Sequence, residues 1–248
     1  GMVDEAGNRF GTWHYDKQMR ADYEHTEGLD TNTLVYHDDN STTVTDALNR
    51  STTYHFDALG NPIKIEGHAT VSCIGSNNAY EYDDSGFISA KTDWNENRTE
   101  FTHNARGLET SRTEAVGTND AFAVETQWHD TYGLPVRIIA PGRTVELTYN
   151  DEGLLTQRQE IDTTQELSLW DQLTGQTNNT RTWNYRYNDN GLLAQTNGPR
   201  TDVDDITRYE YDTQGNRIAI ENALGHRISI LSQTSAGLPH HVRDANGV

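Results

Sequence analysis

The chain has 248 residues, 33% of them hydrophobic, and a formal charge of −19 from 38 acidic and 19 basic side chains. Low hydrophobicity with high net charge marks disordered chains, yet 5 Trp, 12 Tyr, 5 Phe and 32 Thr favour strands. The composition therefore reads as folded, β-rich and too poor in apolar material for a thick two-layer core.

Charge and residue usage exclude several classes. A nucleic-acid-binding surface needs a basic stripe, and an anionic membrane repels a chain this acidic. No apolar run approaches the ~20 residues of a membrane helix. The single cysteine, Cys73, leaves no internal disulfide framework and no multi-Cys zinc site.

In chain order, Gly1 ahead of Met2 reads as a cloning remnant, and residues 1–35 as a partial or irregular repeat. A hairpin array is predicted over 36–248. In DALNR (46–50), Asn49 stands where a turn glycine is expected, and Asn is the next-best residue at positive φ. Then come YHFDALGNPIKIEG (54–67), YEYDDSGFISAKTDWNENR (80–98) and FTHNARGLETSR (101–112). Residues 114–125 read as an extended hairpin insert. WHDTYGLPVRIIAPGR (128–143) and YNDEGLLTQRQ (149–159) precede a polar insert near Asp162–Thr182, where 165–172 is the least poor helix candidate. YRYNDNGLLAQTNGPR (185–200) and YEYDTQGNRIAIENALGHRISI (209–230) close the series.

The shared unit is an aromatic or His, then Asp or Asn, two free residues, Gly, and a β-branched or apolar stretch. Random placement gives about 3.5 cases of Gly three residues after Asp or Asn, and the chain has 11. Asp or Asn accepts a hydrogen bond from a backbone N–H two residues on, and Gly supplies positive φ. The flanks alternate with period two: Trp183, Tyr185 and Tyr187 share one face, with Asn184 and Arg186 on the other. Weaker turns at Gly142 and Gly225 between the strong ones make each repeat one up-and-down strand pair.

These tandem Tyr-Asp-x-x-Gly units resemble the RHS, or YD, repeat family, most clearly at 209–230 and 80–98. The resemblance implies an all-β fold in which tandem antiparallel β-hairpins form a curved ribbon, a segment of an RHS/YD-repeat β-shell. It implies a noncatalytic module of a secreted or cell-surface bacterial protein, whose shell encapsulates a C-terminal toxin or effector domain. Partners would be the rest of the shell and that domain. Teneurins imply the alternative, a cell-surface adhesion or carbohydrate-binding module with glycans as ligands. The family's Asp-Pro-x-Gly-Leu core motif is absent, so no self-cleavage residue is assigned. About twenty strands span on the order of 95 Å. A ring that small leaves little room for cargo, so the chain is expected to be part of a larger shell with open sheet edges. A β-propeller of four-stranded blades is the rival fold.

Candidate chemistry reads as scaffold, and no catalytic, cofactor or metal residue is assigned. His103 and His129 occupy the Tyr slot. His240 and His241, adjacent in a strand, should point to opposite faces and chelate poorly. Asp202, Asp204 and Asp205 lack the glycine and distal Glu of an EF-hand loop, and Asp38–Asp39 and Asp83–Asp84 read as solvated turns. Cys73 lacks a motif-related His. Trp183 and Tyr185 could stack on sugars, but they recur in register with the repeat, which favours a cross-strand ladder.

Overall fold

The computed structural model describes residues 1–7, 9–26, 30–67, 77–164, 173, 179–234 and 237–247. Cys73 and the 165–172 helix candidate lie outside them. The chain divides into two compact units, 1–122 and 123–248.

In the first unit the strands are β1 (Met2–Val3), β2 (Arg9–Tyr15), β3 (Ala21–Thr26), β4 (Asp30–Tyr36), β5 (Ser41–Thr45) and β6 (Ser51–Phe56). They continue with β7 (Pro62–Glu66), β8 (Asn77–Tyr82), β9 (Ile88–Thr92), β10 (Arg98–His103) and β11 (Glu109–Glu114). Each pairs antiparallel with the next. The second unit holds β12 (Phe122–Trp128, its first residue in the first unit), β13 (Pro135–Ala140), β14 (Arg143–Tyr149), β15 (Leu155–Asp162) and β16 (Thr180–Tyr187). It ends with β17 (Leu193–Asn197), β18 (Ile206–Tyr211), β19 (Arg217–Glu221), β20 (Arg227–Gln233) and β21 (Pro239–Arg243). These too form one consecutive antiparallel ladder.

The fold is thus all-β, built of tandem antiparallel hairpins. The propeller alternative is corrected by the pairing. Blades end their ladder after four strands, whereas hydrogen bonding here runs through every consecutive strand of each unit.

The turns are where the sequence dictates the backbone. At Asp57 the Gly60 N–H donates to the Asp57 carbonyl (3.1 Å), and the Asp57 N–H donates to the Asn61 carbonyl (2.9 Å). Oδ1 of Asp57 accepts the N–H groups of Leu59 and Asn61, both at 2.8 Å, and Oδ2 accepts Nδ2 of Asn61 at 2.9 Å. Gly60 takes φ 87°, a conformation that costs other L-residues roughly 1–2 kcal/mol. Each carboxylate thereby replaces hydrogen bonds that the chain reversal leaves unmade.

At several turns the residue four places after the acid gives it a side-chain hydrogen bond. Asp46 holds Nε of Arg50, while Asp93 and Asp212 hold Nδ2 of Asn97 and Asn216. Asn104, Asn150 and Asn188 have no second carboxylate oxygen, and Leu108, Leu154 and Leu192 follow them, giving only backbone N–H bonds to Oδ1. The side chain at this position also packs forward. A Cβ on Gly107 would meet the Phe87 ring at 2.8 Å, and one on Gly215 would meet Leu192 at 3.6 Å.

Three turns depart from the sequence expectation. At 128–134 the turn residue is His129 rather than Asp130: Nδ1 of His129 accepts the N–H groups of Thr131 (3.1 Å) and Tyr132 (3.3 Å), and Trp128 takes the aromatic slot. Imidazole nitrogen, like a carboxylate, is an acceptor placed two bonds beyond Cβ. Met19 and Glu96 fill glycine positions at φ 63° and 66°, in turns organised by Asp16 and Asp93.

Among the described residues the backbones of only sequence-neighbouring strands approach one another, so each unit is a single layer. Among the described residues only Gly11, Ser41, Ala90, Thr144, Val145 and Ala219 are buried, and no large side chain is fully buried. This is the physical counterpart of the low apolar content.

Candidate functional site

With no second layer to grip it, the sheet is held by side chains that span strands. The tyrosine preceding a turn donates its hydroxyl to a backbone carbonyl at the start of the preceding strand. Tyr36 reaches Ala21 (2.8 Å), Tyr82 reaches Pro62 (2.8 Å) and Tyr149 reaches Pro135 (2.9 Å). Tyr187 reaches Leu155 and Tyr211 reaches Leu193, both at 2.9 Å. Each acceptor is the first or second residue after the previous turn at the same end of the strands. Gln233 stands in this slot in the last hairpin and does the same with Nε2, reaching the Arg217 carbonyl at 2.8 Å. Burial pushes the hydroxyl pKa of Tyr82, Tyr149 and Tyr187 up, so these phenols stay protonated donors. His103 does occupy the Tyr slot, as its place in the repeat implies. Its ring packs against Phe87 (centroids 5.3 Å apart), but its Nδ1 is buried without a hydrogen-bond partner.

The opposite face carries ion-pair straps. Arg98 binds Glu81 through two nitrogens, at 2.5 and 2.9 Å, and Arg227 binds Glu210 likewise, at 2.5 and 2.6 Å. Both pairs join strands two apart, across a strand that carries an alanine. Ala90 lies directly between Glu81 and Glu100, and Ala219 between Glu210 and Ser229. These alanines, on the straps' face of the sheet, are 2% and 1% exposed. The guanidinium hydrogen bonds hold Glu81 and Glu210 below the usual carboxylate range. Elsewhere on this face short polar side chains pair across strands: Thr43 with Thr53 and Thr45 with Ser51 at 2.9 Å, and Gln157 with Asn184 at 3.1 Å.

The sequence-nominated residues are absorbed into this scaffold. Trp183 has the Arg158 guanidinium over its ring at 4.6 Å, and Tyr36 and Tyr80 have Arg20 and Lys91 over theirs. Asp202 binds Arg200 at 3.0 Å, while the Asp205 carbonyl accepts the Gly198 N–H. Asp39 accepts the N–H and hydroxyl of Ser41, and Asp83 accepts the N–H groups of Ser85 and Phe87. Among the described residues no group of three or more His, Cys, Asp or Glu is gathered as a metal site.

His240 and His241 break the alternation expected of them: their Nδ1 atoms lie 3.0 Å apart. The described surface has several open hollows. One of about 560 Å³ has Arg143, Glu160 and Arg181 in its wall. Another of about 300 Å³ is lined by Thr156, Asn184, Tyr185, Arg186, Gln195 and Asn197. Neither of these two gathers a nucleophile with a base.

The straps and clamps were missed from sequence because each couples residues on different strands. A signal exists: Glu two before the turn Asp, Ala seven after it and Arg fifteen after it occur in both YEYD units.

No family model and no curated protein matches the chain. Among solved structures it is similar to TcdB2-TccC3 lacking the hypervariable C-terminal region, at 13% identity and TM-score 0.45, over 96% of this chain and 16% of that one. It is also similar to TcdB2-TccC3, at 12% identity and TM-score 0.46, over 99% and 18%. A Photorhabdus luminescens Tc holotoxin pore gives 15% identity and TM-score 0.31, over 88% and 14%. The chain therefore spans less than a fifth of the length of these three structures, and at these scores the likeness adds nothing to the strand pairing already described.

Proposed function

We propose that the chain is a noncatalytic wall segment of an RHS-type shell in a secreted or surface-exposed bacterial protein, and that the shell encloses a C-terminal toxin or effector domain. One observation carries this reading. Each unit is a single-layer ladder in which the distinctive side chains (turn acids, slot tyrosines, Glu–Arg straps) bind the scaffold itself. Such a sheet is a wall without a catalytic interior, and its repeats extend it without limit set by a core. The other members of the shell and the enclosed domain are the implied partners.

The test is limited proteolysis of the native polypeptide that carries this chain. The reading expects a protease-resistant cargo that becomes cleavable when Asp57, Asp83 and Asp212 are all replaced by Ala, which removes turn acceptors from both units. A cargo equally cleavable before and after would overturn it. Glycan-array binding by the parent chain that disappears with Trp183→Ala and Tyr185→Ala would instead establish the adhesion or carbohydrate-binding module.

A further inference from the structure

Among the described residues, one pair of histidine rings brings its Nδ1 atoms together, and it lies on β21. Pairing between β20 and β21 slips twice: Ile230 faces Val242, Ser232 faces His241, and Gln233 faces Pro239. Leu231 and His240 are the extra residues. An extra residue in one strand re-aims the side chains around it, and here it defeats the alternation that would separate adjacent rings. The two rings lie with centroids 4.5 Å apart and planes at 78°. Their Nδ1 atoms are 3.0 Å apart, and Ser232 Oγ is 2.9 Å from Nδ1 of His241. Both histidines are exposed.

This spacing is a chelating bite. With metal–nitrogen bonds of about 2.0–2.1 Å, two ligands on one ion stand about 2.9 Å apart at a right angle and about 3.4 Å apart at the tetrahedral angle. The observed 3.0 Å is closer to the right angle, the geometry of tetragonal Cu(II) and Ni(II). Imidazole suits these ions, and Cu(II) binds a given nitrogen site most tightly of the divalent first-row series. We propose that His240 and His241 form a bidentate surface site for a divalent late-transition ion, Cu(II) foremost. Ser232 Oγ lies beside it, and water fills the remaining positions. The site is independent of the shell reading, since it needs only the β20–β21 pairing.

Titration of the full chain with Cu(II) at pH 7.5, followed by calorimetry and electron paramagnetic resonance, tests it. The expected result is one equimolar site with hyperfine coupling to two imidazole nitrogens. His240→Ala and His241→Ala should each weaken binding at least tenfold, with the far-ultraviolet dichroism of the parent retained. His226→Ala and His14→Ala should leave the affinity unchanged. Parent-like binding in either His240→Ala or His241→Ala would overturn the bidentate site, as would Cu(II) taken up without an equimolar step.

Discussion

An Ala219→Leu substitution puts three more carbons beside the Arg227–Glu210 strap. Ala219 is 1% exposed, with Glu210 opposite on one side and Ser229 on the other. The strap crosses two strand spacings, about 10 Å laterally, running diagonally over β19 from Arg227, opposite Glu221, to Glu210, opposite Ala219. The added volume cannot move into the backbone below it, so the cost is that of overpacking, about 1–3 kcal/mol. The displaced ion pair adds little. Its side chains are 39% and 50% exposed, and exposed pairs contribute about 0.2–1 kcal/mol. A chain of this length loses about 2–4 °C of Tm per kcal/mol, so the variant should melt roughly 2–12 °C lower. Glu210→Gln alone should cost no more than ~1 kcal/mol, and the double variant should cost less than the two singles together, because the strap can be lost only once. Urea denaturation of the four proteins measures this. An Ala219→Leu midpoint equal to the parent's, or strict additivity in the cycle, would refute the packing of Ala219 beside the strap.

Other expectations follow from the clamps and turns. Tyr149→Phe, Tyr187→Phe and Tyr211→Phe should each cost about 0.5–1.5 kcal/mol in urea denaturation, whereas His103→Tyr should stabilise by a similar amount by giving that slot a hydroxyl. Glu96→Gly should raise stability by up to ~1 kcal/mol, since it relieves a residue at φ 66°; an unchanged or lower midpoint would contradict the strain. Hydrogen bonds from Asn61 and Asn216 hold the pKa of Asp57 and Asp212 below the ordinary 3.8. Their contribution is therefore complete above pH 3.8 and is lost as pH falls through the lowered values. Replacing both with Asn should flatten the acid limb of a Tm-against-pH curve, and an unaltered limb would show that these turns do not set acid stability.

The hairpin array was legible because its information is local. An Asx acceptor, a glycine at positive φ and alternation over five residues all act within one strand and its turn, so Asp57-to-Gly60 and Asn188-to-Gly191 could be read in isolation. His129 was misplaced because Asp130 satisfied the same spacing, and only the backbone showed which acceptor the N–H groups reach. Met19 and Glu96 carry no local mark, since neither residue type favours positive φ.

What the sequence by itself determined, then, is the turn positions, the strand period and the single-layer character implied by scarce apolar residues. Side-chain contacts between strands were decided only in three dimensions: Tyr211 on Leu193 of the neighbouring strand, Arg227 on Glu210 two strands away, Gln233 in a tyrosine's place. The physical reason is register. Which side chains meet across a ladder depends on each bulge and slip between the strands, and a slip of one residue exchanges the faces. The slips around Leu231 and His240 are the clearest case, bringing together two imidazoles that strand periodicity alone would have kept apart.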